Sequence, residues 1–245
     1  VGACPSTGDQ TAIQQYLDTA SSNVATALAG GPLAGQAQPL KTSRTQCWNG
    51  SGQVIPCAGT GQDGEFQKGL DRVYVDNGDG TVTDMQTGLM WEKLSRDGSI
   101  HDKENVYRWP DAFGVKVVGL NALRFAGYTD WRVPNVNELY SLVKHDQYSP
   151  AVSSPAFHWS CLVGCTVLQC SCTYTQSALY WTSTSEMEFP GRAAWIINFH
   201  DGSVSRWSNG NPPLHVRAVR GGSWRAGPGV VWPGIPTTRP TLVRG

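Results

Sequence analysis

The chain is short of charge and has no excess of either sign. Asp, Glu, Lys and Arg make up 16% of its 245 residues, 19 basic against 19 acidic, and the pI is near 7.1. A neutral total excludes the long-range attraction by which nucleic-acid and anionic-membrane binders gather their partners. Long apolar runs are missing as well. The most hydrophobic windows are broken by charge or glycine before the ~20 residues a membrane-spanning helix needs, so no membrane insertion is expected. Neither the Gly-x-Ser-x-Gly elbow of hydrolases nor the His-Glu-x-x-His helix of zinc proteases occurs. Without a nucleophile and an orienting acid, His101, His145, His158, His200 and His215 read as surface or internally satisfied residues. The chain is therefore taken as non-enzymatic, with no cofactor required.

What is abundant is Trp, ten residues, and Gly, 28 residues. A Trp side chain buries far more apolar area than an aliphatic one, so this composition suits a loop-rich fold held by aromatics. Short alternating runs such as Tyr180-Trp181-Thr182-Ser183-Thr184-Ser185, Ala194-Trp195-Ile196-Ile197-Asn198-Phe199 and Val216-Arg217-Ala218-Val219-Arg220 predict strands, punctuated by Asp201-Gly202 and Gly221-Gly222. The fold class expected is α+β, with short antiparallel strands, two inserted helices and long loops.

Three segments are distinguished. Residues 1–40 hold a helix over residues 9–29, with Ile13, Tyr16, Leu17, Val24 and Leu28 at helical spacing, and a Gly/Ala/Gln/Pro linker. Residues 41–223 form the main domain. Residues 224–245, with Pro228, Pro233, Pro236 and Pro240, predict an extended arm. Within the domain one helix is predicted from about Pro110 to Phe125, with Val115, Val117, Val118, Leu120 and Leu123 as its apolar face. A second opens at Pro134 and carries Val136, Leu139, Leu142 and Val143.

Seven cysteines suit an oxidising compartment, and the chain opens at Val1 rather than Met, so a removed signal peptide and a secreted or cell-surface location are expected. Cys47 and Cys57 flank a segment with Asn-Gly and Ser-Gly turn steps and are expected to bond. Cys161, Cys165, Cys170 and Cys172 crowd one loop, as two disulfides or as a thiolate metal site; their spacing lacks a paired C-x-x-C pattern and favours disulfides. Cys4 is left over: it bonds a loop cysteine, bridges to another chain or stays free.

Asp76-Asn77-Gly78-Asp79-Gly80-Thr81-Val82-Thr83-Asp84 offers Asp76, Asp79 and Asp84 as calcium ligands. It also makes a hairpin turn without metal, and it fits the EF-hand register poorly, so the hairpin is preferred and calcium stays a possibility. Glu186, Glu188, Arg192, His200, Asp201, Arg206, Trp207 and Asn209 combine a planar aromatic with charged and amide groups, the composition of a carbohydrate site and equally of a protein-binding surface. Trp181 and Trp195 are expected in the core. Arg206, Arg217, Arg220, Arg225, Arg239 and Arg244 face no acid within residues 202–245, whereas residues 63–104 are acidic. Solvated surface, or complementary faces of neighbouring subunits, would each produce this asymmetry.

Gln46-Cys47 through Cys57 to Gly64, Asp76 to Asp84, Thr87-Gly88-Leu89-Met90-Trp91, Gly127-Tyr128-Thr129-Asp130-Trp131-Arg132-Val133-Pro134-Asn135, Tyr180 to Thr184 and Val219-Arg220-Gly221-Gly222 resemble the Lcl C-terminal domain family, named after a bacterial collagen-like adhesin. The family is similar to the C-type lectin-like fold of formylglycine-generating enzymes. The resemblance implies that fold and a secreted bacterial module binding glycans or surface proteins through late loops. The enzymatic relatives use a cysteine pair after the Gly-Gly-Ser-Trp segment, and here no cysteine follows Cys172.

Two functions follow as expectations. One is a non-enzymatic adhesin or lectin-like module that binds a glycan or protein through loops around residues 186–210. The other is a subunit of an extracellular filament, a homo-oligomer or polymer in which the N-terminal helix and C-terminal arm contact neighbouring copies.

Overall fold

The computed structural model describes residues 39–152, 156–157, 161–173 and 179–221. The helix expected over residues 9–29, the arm from Trp224 onward and Cys4 lie outside these. Asn49-Gly50-Ser51-Gly52 turns β1 (Cys47–Trp48) into β2 (Val54–Ile55). The Asn49 side-chain Oδ1 accepts from the Ser51 and Gln53 N–H groups, the local bonding by which Asn makes turns. The Cys47–Cys57 disulfide closes the base. Beside it α1 (Asp63–Phe66) approaches β1 so closely that a Cβ on Gly64 would lie 2.6 Å from the Gln46 carbonyl oxygen.

A four-stranded antiparallel sheet follows, with strand order β3-β4-β5-β9: β3 (Tyr74–Asp76), β4 (Thr81–Asp84), β5 (Leu89–Glu92) and, from the far end of the chain, β9 (Val219–Gly221). Gly80, at φ 94°, ends the β3–β4 turn against Phe125 and Val167, whose atoms would lie 3.1 and 2.8 Å from an added Cβ. The second sheet is a meander of β6 (Leu179–Ser185), β7 (Ala193–Asn198) and β8 (Ser203–Ser208). These are the alternating runs of the sequence. Tyr180, Ile197 and Phe199 face one buried cluster with Trp91, Leu139 and Val219. Trp181, Ala194 and Ile196 face a second with Val133, Leu214 and Val216.

The helices differ from expectation in an instructive way. The first is broken into α2 (Trp109–Asp111), a π-helical turn (Ala112–Val117) and α3 (Val118–Ala122), followed by a 3-10 turn (Phe125–Gly127). Its predicted apolar face is only partly right: Leu120 is buried and Val117 packs against the core, but Val115, Val118 and Leu123 are exposed, while Ala112 and Lys116 face inward. The reason is Lys116. Its Nζ donates to Glu92 Oε1 at 2.5 Å and to the Ile100 carbonyl at 2.6 Å, so the helix turns a lysine toward a buried carboxylate. The second helix, α4 (Val136–Tyr140), starts later than Pro134 suggests, because Asn135 caps it: Asn135 accepts from Glu138 N–H, and the Glu138 carboxylate accepts from Asn135 N–H. Leu139, Leu142 and Val143 are buried as predicted.

Glu92 is fully buried. It also accepts from the Ala218 N–H at 3.0 Å and lies 2.7 Å from His101 Nδ1, tying β5 to the strand-9 approach and to the helical insert. Arg217, equally buried, donates to the Glu92 carbonyl, to the Cys172 carbonyl and to Thr173 Oγ1. Arg220 makes a two-pronged pair with Asp130 at 2.7 and 3.1 Å and stacks over Tyr128. The late arginines of the described chain thus serve internal bonds, and the charge asymmetry in the sequence is partly satisfied within one subunit.

Removing the Glu92 carboxylate strands Lys116 without its partner. E92A should cost about 3–5 kcal/mol in urea denaturation, and a double replacement of Glu92 and Lys116 by apolar residues should recover much of it. Burial alone would raise the Glu92 carboxyl, but the Lys116 ammonium and His101 outweigh it and hold it at about 2, below its ordinary 4.5. Its contribution is thus complete above about pH 4.5 and lost as pH falls toward 2. Desolvation pulls His215 from 6.5 to about 4, so this residue erodes stability earlier, as pH falls from 6.5 to 4. Urea midpoints measured across pH should show both windows, and His215→Asn should flatten the upper one alone.

Candidate functional site

The eight residues proposed from sequence do not form one site. β7 is six residues long, and at ~3.3 Å per residue its first and last residues are about 17 Å apart. His200 and Asp201 sit in the β7–β8 turn at one end. Glu186, Glu188 and Arg192 sit in the β6–β7 loop at the other, joined there by Asn209, whose N–H donates to the Arg192 carbonyl and whose side-chain amide donates to the Gly191 carbonyl.

Strand geometry separates Arg206 from Trp207 as well. Neighbouring residues on a strand point to opposite faces of the sheet. Trp207 pairs with Ala194 and packs against the buried cluster of Trp181 and Leu214, with its indole N–H donating to the Pro212 carbonyl. It is an anchor for β8. Arg206 pairs with Trp195, which is half-buried rather than core, and its guanidinium bonds the Glu188 carboxylate at 2.8 Å in the open.

Glu186 is not a ligand-facing acid. It is buried, and its two carboxylate oxygens accept from the Glu188 and Phe189 N–H groups, shaping the loop. The loop tip then presents Met187, 89% exposed, and Phe189, 47% exposed, beside Glu188 and Arg192. The loop thus exposes a thioether and an aromatic ring beside Glu188, whose partner Arg206 is paired across the sheet with Trp195. Met187, Phe189 and Trp195 were not picked out as contact residues from the sequence, because a lone Met or Phe in an acidic loop carries no periodic signal.

At the other end the His200 ring meets Tyr148 edge-on at 4.5 Å, with Nε2 and the phenol oxygen 2.6 Å apart. Asp201 accepts from the Ser203 N–H and hydroxyl, bonds that hold its carboxyl below the usual range and commit it to the turn.

Asp76, Asp79 and Asp84 are each engaged by the chain. Asp76 accepts from Gly78 N–H and from Lys93 Nζ, Asp79 from the Thr81 N–H and hydroxyl, and Asp84 from Gln86 N–H and the Thr87 hydroxyl. Together these bonds build the hairpin turns on either side of β4. Among the described residues, the converging set of potential metal ligands is instead Cys161, Cys165, Cys170 and Cys172. These four form two disulfides, Cys161–Cys172 and Cys165–Cys170, which decides a connectivity the sequence left open.

A concave feature lies outside the predicted set. A cavity of about 540 Å³ is lined by Arg44, Gln46, Trp48, Gln62 and Asp63, with the Arg44 guanidinium 5.3 Å from the Trp48 ring centre. Gln62 fixes the Trp48 backbone by accepting from its N–H and donating to its carbonyl.

No helix among the described residues is long and apolar enough to cross a membrane. Comparison with curated proteins gives no match. The profile of the Lcl C-terminal domain matches residues 80–220, from the end of the β3–β4 turn to β9, and so takes in the cysteine loop and the whole β6–β7–β8 sheet. That match spans more than half of the 245 residues, and the chain belongs to the Lcl C-terminal domain family.

Proposed function

We propose that this protein is a non-enzymatic, adhesin-like module, secreted or displayed on a cell surface, that binds a glycan or a surface protein. The scaffold we infer is C-type lectin-like. The observation that carries the reading is the β6–β7 loop and the strand beside it. A buried carboxylate, Glu186, organises the loop so that Met187, Glu188 and Phe189 project outward, next to Arg206 and Trp195. Apolar side chains held outward by a dedicated hydrogen-bonded loop are a feature of contact surfaces.

The ligand contacts we assign are Met187, Glu188, Phe189, Arg192, Trp195 and Arg206, with Trp207 and Asn209 supporting them. Calcium is left to a titration of the folded protein, since every candidate carboxylate already has protein donors.

A second reading is supported by the edge of the three-stranded sheet. β8 pairs with β7 on one side and with no strand on the other among the described residues, and its side chains are mostly exposed. An open edge of this kind accepts a strand from another chain. In this reading the protein is a filament subunit and the arm, residues 224–245, of a neighbouring copy supplies the strand.

R206A and E188A should each change stability by less than about 0.5 kcal/mol, because an exposed pair contributes little. Loss of binding by R206A or F189A on a glycan array, or to cell-surface extracts, would therefore report contact and not unfolding. Binding that survives both substitutions would exclude this face and transfer the test to W48A in the Arg44–Trp48 cavity. For the second reading, light scattering and negative-stain microscopy of the full chain should show polymers that vanish when residues 225–245 are removed. A monomer before and after truncation would eliminate it.

A further inference from the structure

Four sulfur atoms meet in the loop that crosses the end of β5, and they meet more closely than two independent disulfides require. All lie within 4.8 Å of one another. Between the two bridges, the Cys172 sulfur is 3.4 Å from that of Cys170 and 3.9 Å from that of Cys165. A tetrahedral zinc thiolate has Zn–S bonds of ~2.3 Å, which places its sulfurs about 3.8 Å apart. The two Cys172 contacts between the bridges, 3.4 and 3.9 Å, are already close to that spacing. Only the two bonded pairs, ~2.05 Å in an ordinary disulfide, would need to open, by less than about 1 Å per sulfur.

The backbone around the sulfurs is held by bonds that do not involve them. Cys172 N–H donates to the Leu94 carbonyl at 2.7 Å, Arg96 N–H donates to the Cys165 carbonyl at 2.9 Å, and Gly164 N–H donates to the Arg96 carbonyl at 2.6 Å. The loop is therefore pinned along residues 94–96 whether or not sulfur is bonded to sulfur.

Charge points the same way. Four thiolates around a divalent ion carry a net charge of −2, and such an anion needs cations nearby. Arg217 bonds the Cys172 carbonyl and Arg96 the Cys161 carbonyl at 3.3 Å. Arg217 is fully buried and meets Glu92 through its backbone carbonyl, while the Glu92 carboxylate is met by Lys116. Access is provided by a cavity of about 540 Å³ lined by Cys161, Cys165 and Cys170 together with Leu162, Val163 and Gln169.

We propose that this loop is a redox-gated metal site: two disulfides when oxidised, and one tetrathiolate site for a zinc-class divalent ion when reduced. In the gating step each disulfide takes two electrons and two protons from a dithiol, which leaves as its own disulfide. The incoming metal then displaces the thiol protons to solvent as four metal–sulfur bonds form. This inference stands on the sulfur geometry and is independent of the adhesin reading.

The test uses the full chain, reduced with a dithiol under anaerobic conditions, freed of reductant, and titrated with cobalt(II) alone. One cobalt per chain should bind, with the intense visible bands of tetrahedral cobalt thiolate, and zinc should displace it. C47S/C57S and C4S should retain the bands, and C170S/C172S should lose them. Zinc loading should also return the near-ultraviolet circular dichroism of the oxidised protein. Absence of cobalt uptake by the reduced chain overturns the proposal, as do uptake that persists in C170S/C172S, uptake by the oxidised chain, and binding without the folded dichroism signal.

Discussion

A carboxylate with no access to water dictates what surrounds it. Glu92 ends β5 inside the protein, and an isolated ionised carboxylate there would be prohibitively unfavourable. Its charge is met by Lys116 from the helical insert, by His101 from the loop before that insert, and by the Ala218 N–H next to β9. Three segments, 9, 24 and 126 residues along the chain from Glu92, thus converge on one side chain. The insert presents a lysine to the interior, and the chain returns through its late residues to close the four-stranded sheet.

The consequences spread outward along the backbone. Arg217 caps the carbonyl of Glu92 and reaches the carbonyl of Cys172, so the cysteine loop is fastened to the same centre. On its other side the path to β9 passes Trp131 and Leu120, which fill a small apolar cluster with Ala218. The β6–β7–β8 sheet is joined on through Tyr180 and Ile197, which share the Trp91 cluster. The exposed side chains of the β6–β7 loop, Met187, Glu188, Phe189 and Arg192, belong to none of these buried clusters.

Much of the framework was legible from short-range chemistry. Alternating Trp, Ile and small residues marked β6 and β7, Asp-Gly and Asn-Gly steps marked the turns, and the Cys47–Cys57 pairing followed from the turn between them. Periodicity located the first helix but misassigned part of its buried face, because it ranks valine above lysine for burial. That ranking fails once a lysine has a buried acid to meet, and the acid lies 24 residues away. The proposed site was also only partly legible. Composition identified Glu188, Arg192 and Arg206 correctly as exposed, but it could not tell that Glu186 is a loop brace or that Trp207 points to the face opposite Arg206.

The sequence alone determined the class of fold, the strands and turns, the presence of disulfides and the resemblance to a family, because each of these rests on residues close together in the chain. Tertiary structure decided which cysteines bond to which, which arginines are internal, and which of the candidate residues share a surface. Those outcomes depend on partners brought together from distant segments around buried charge, and no local pattern contains that information.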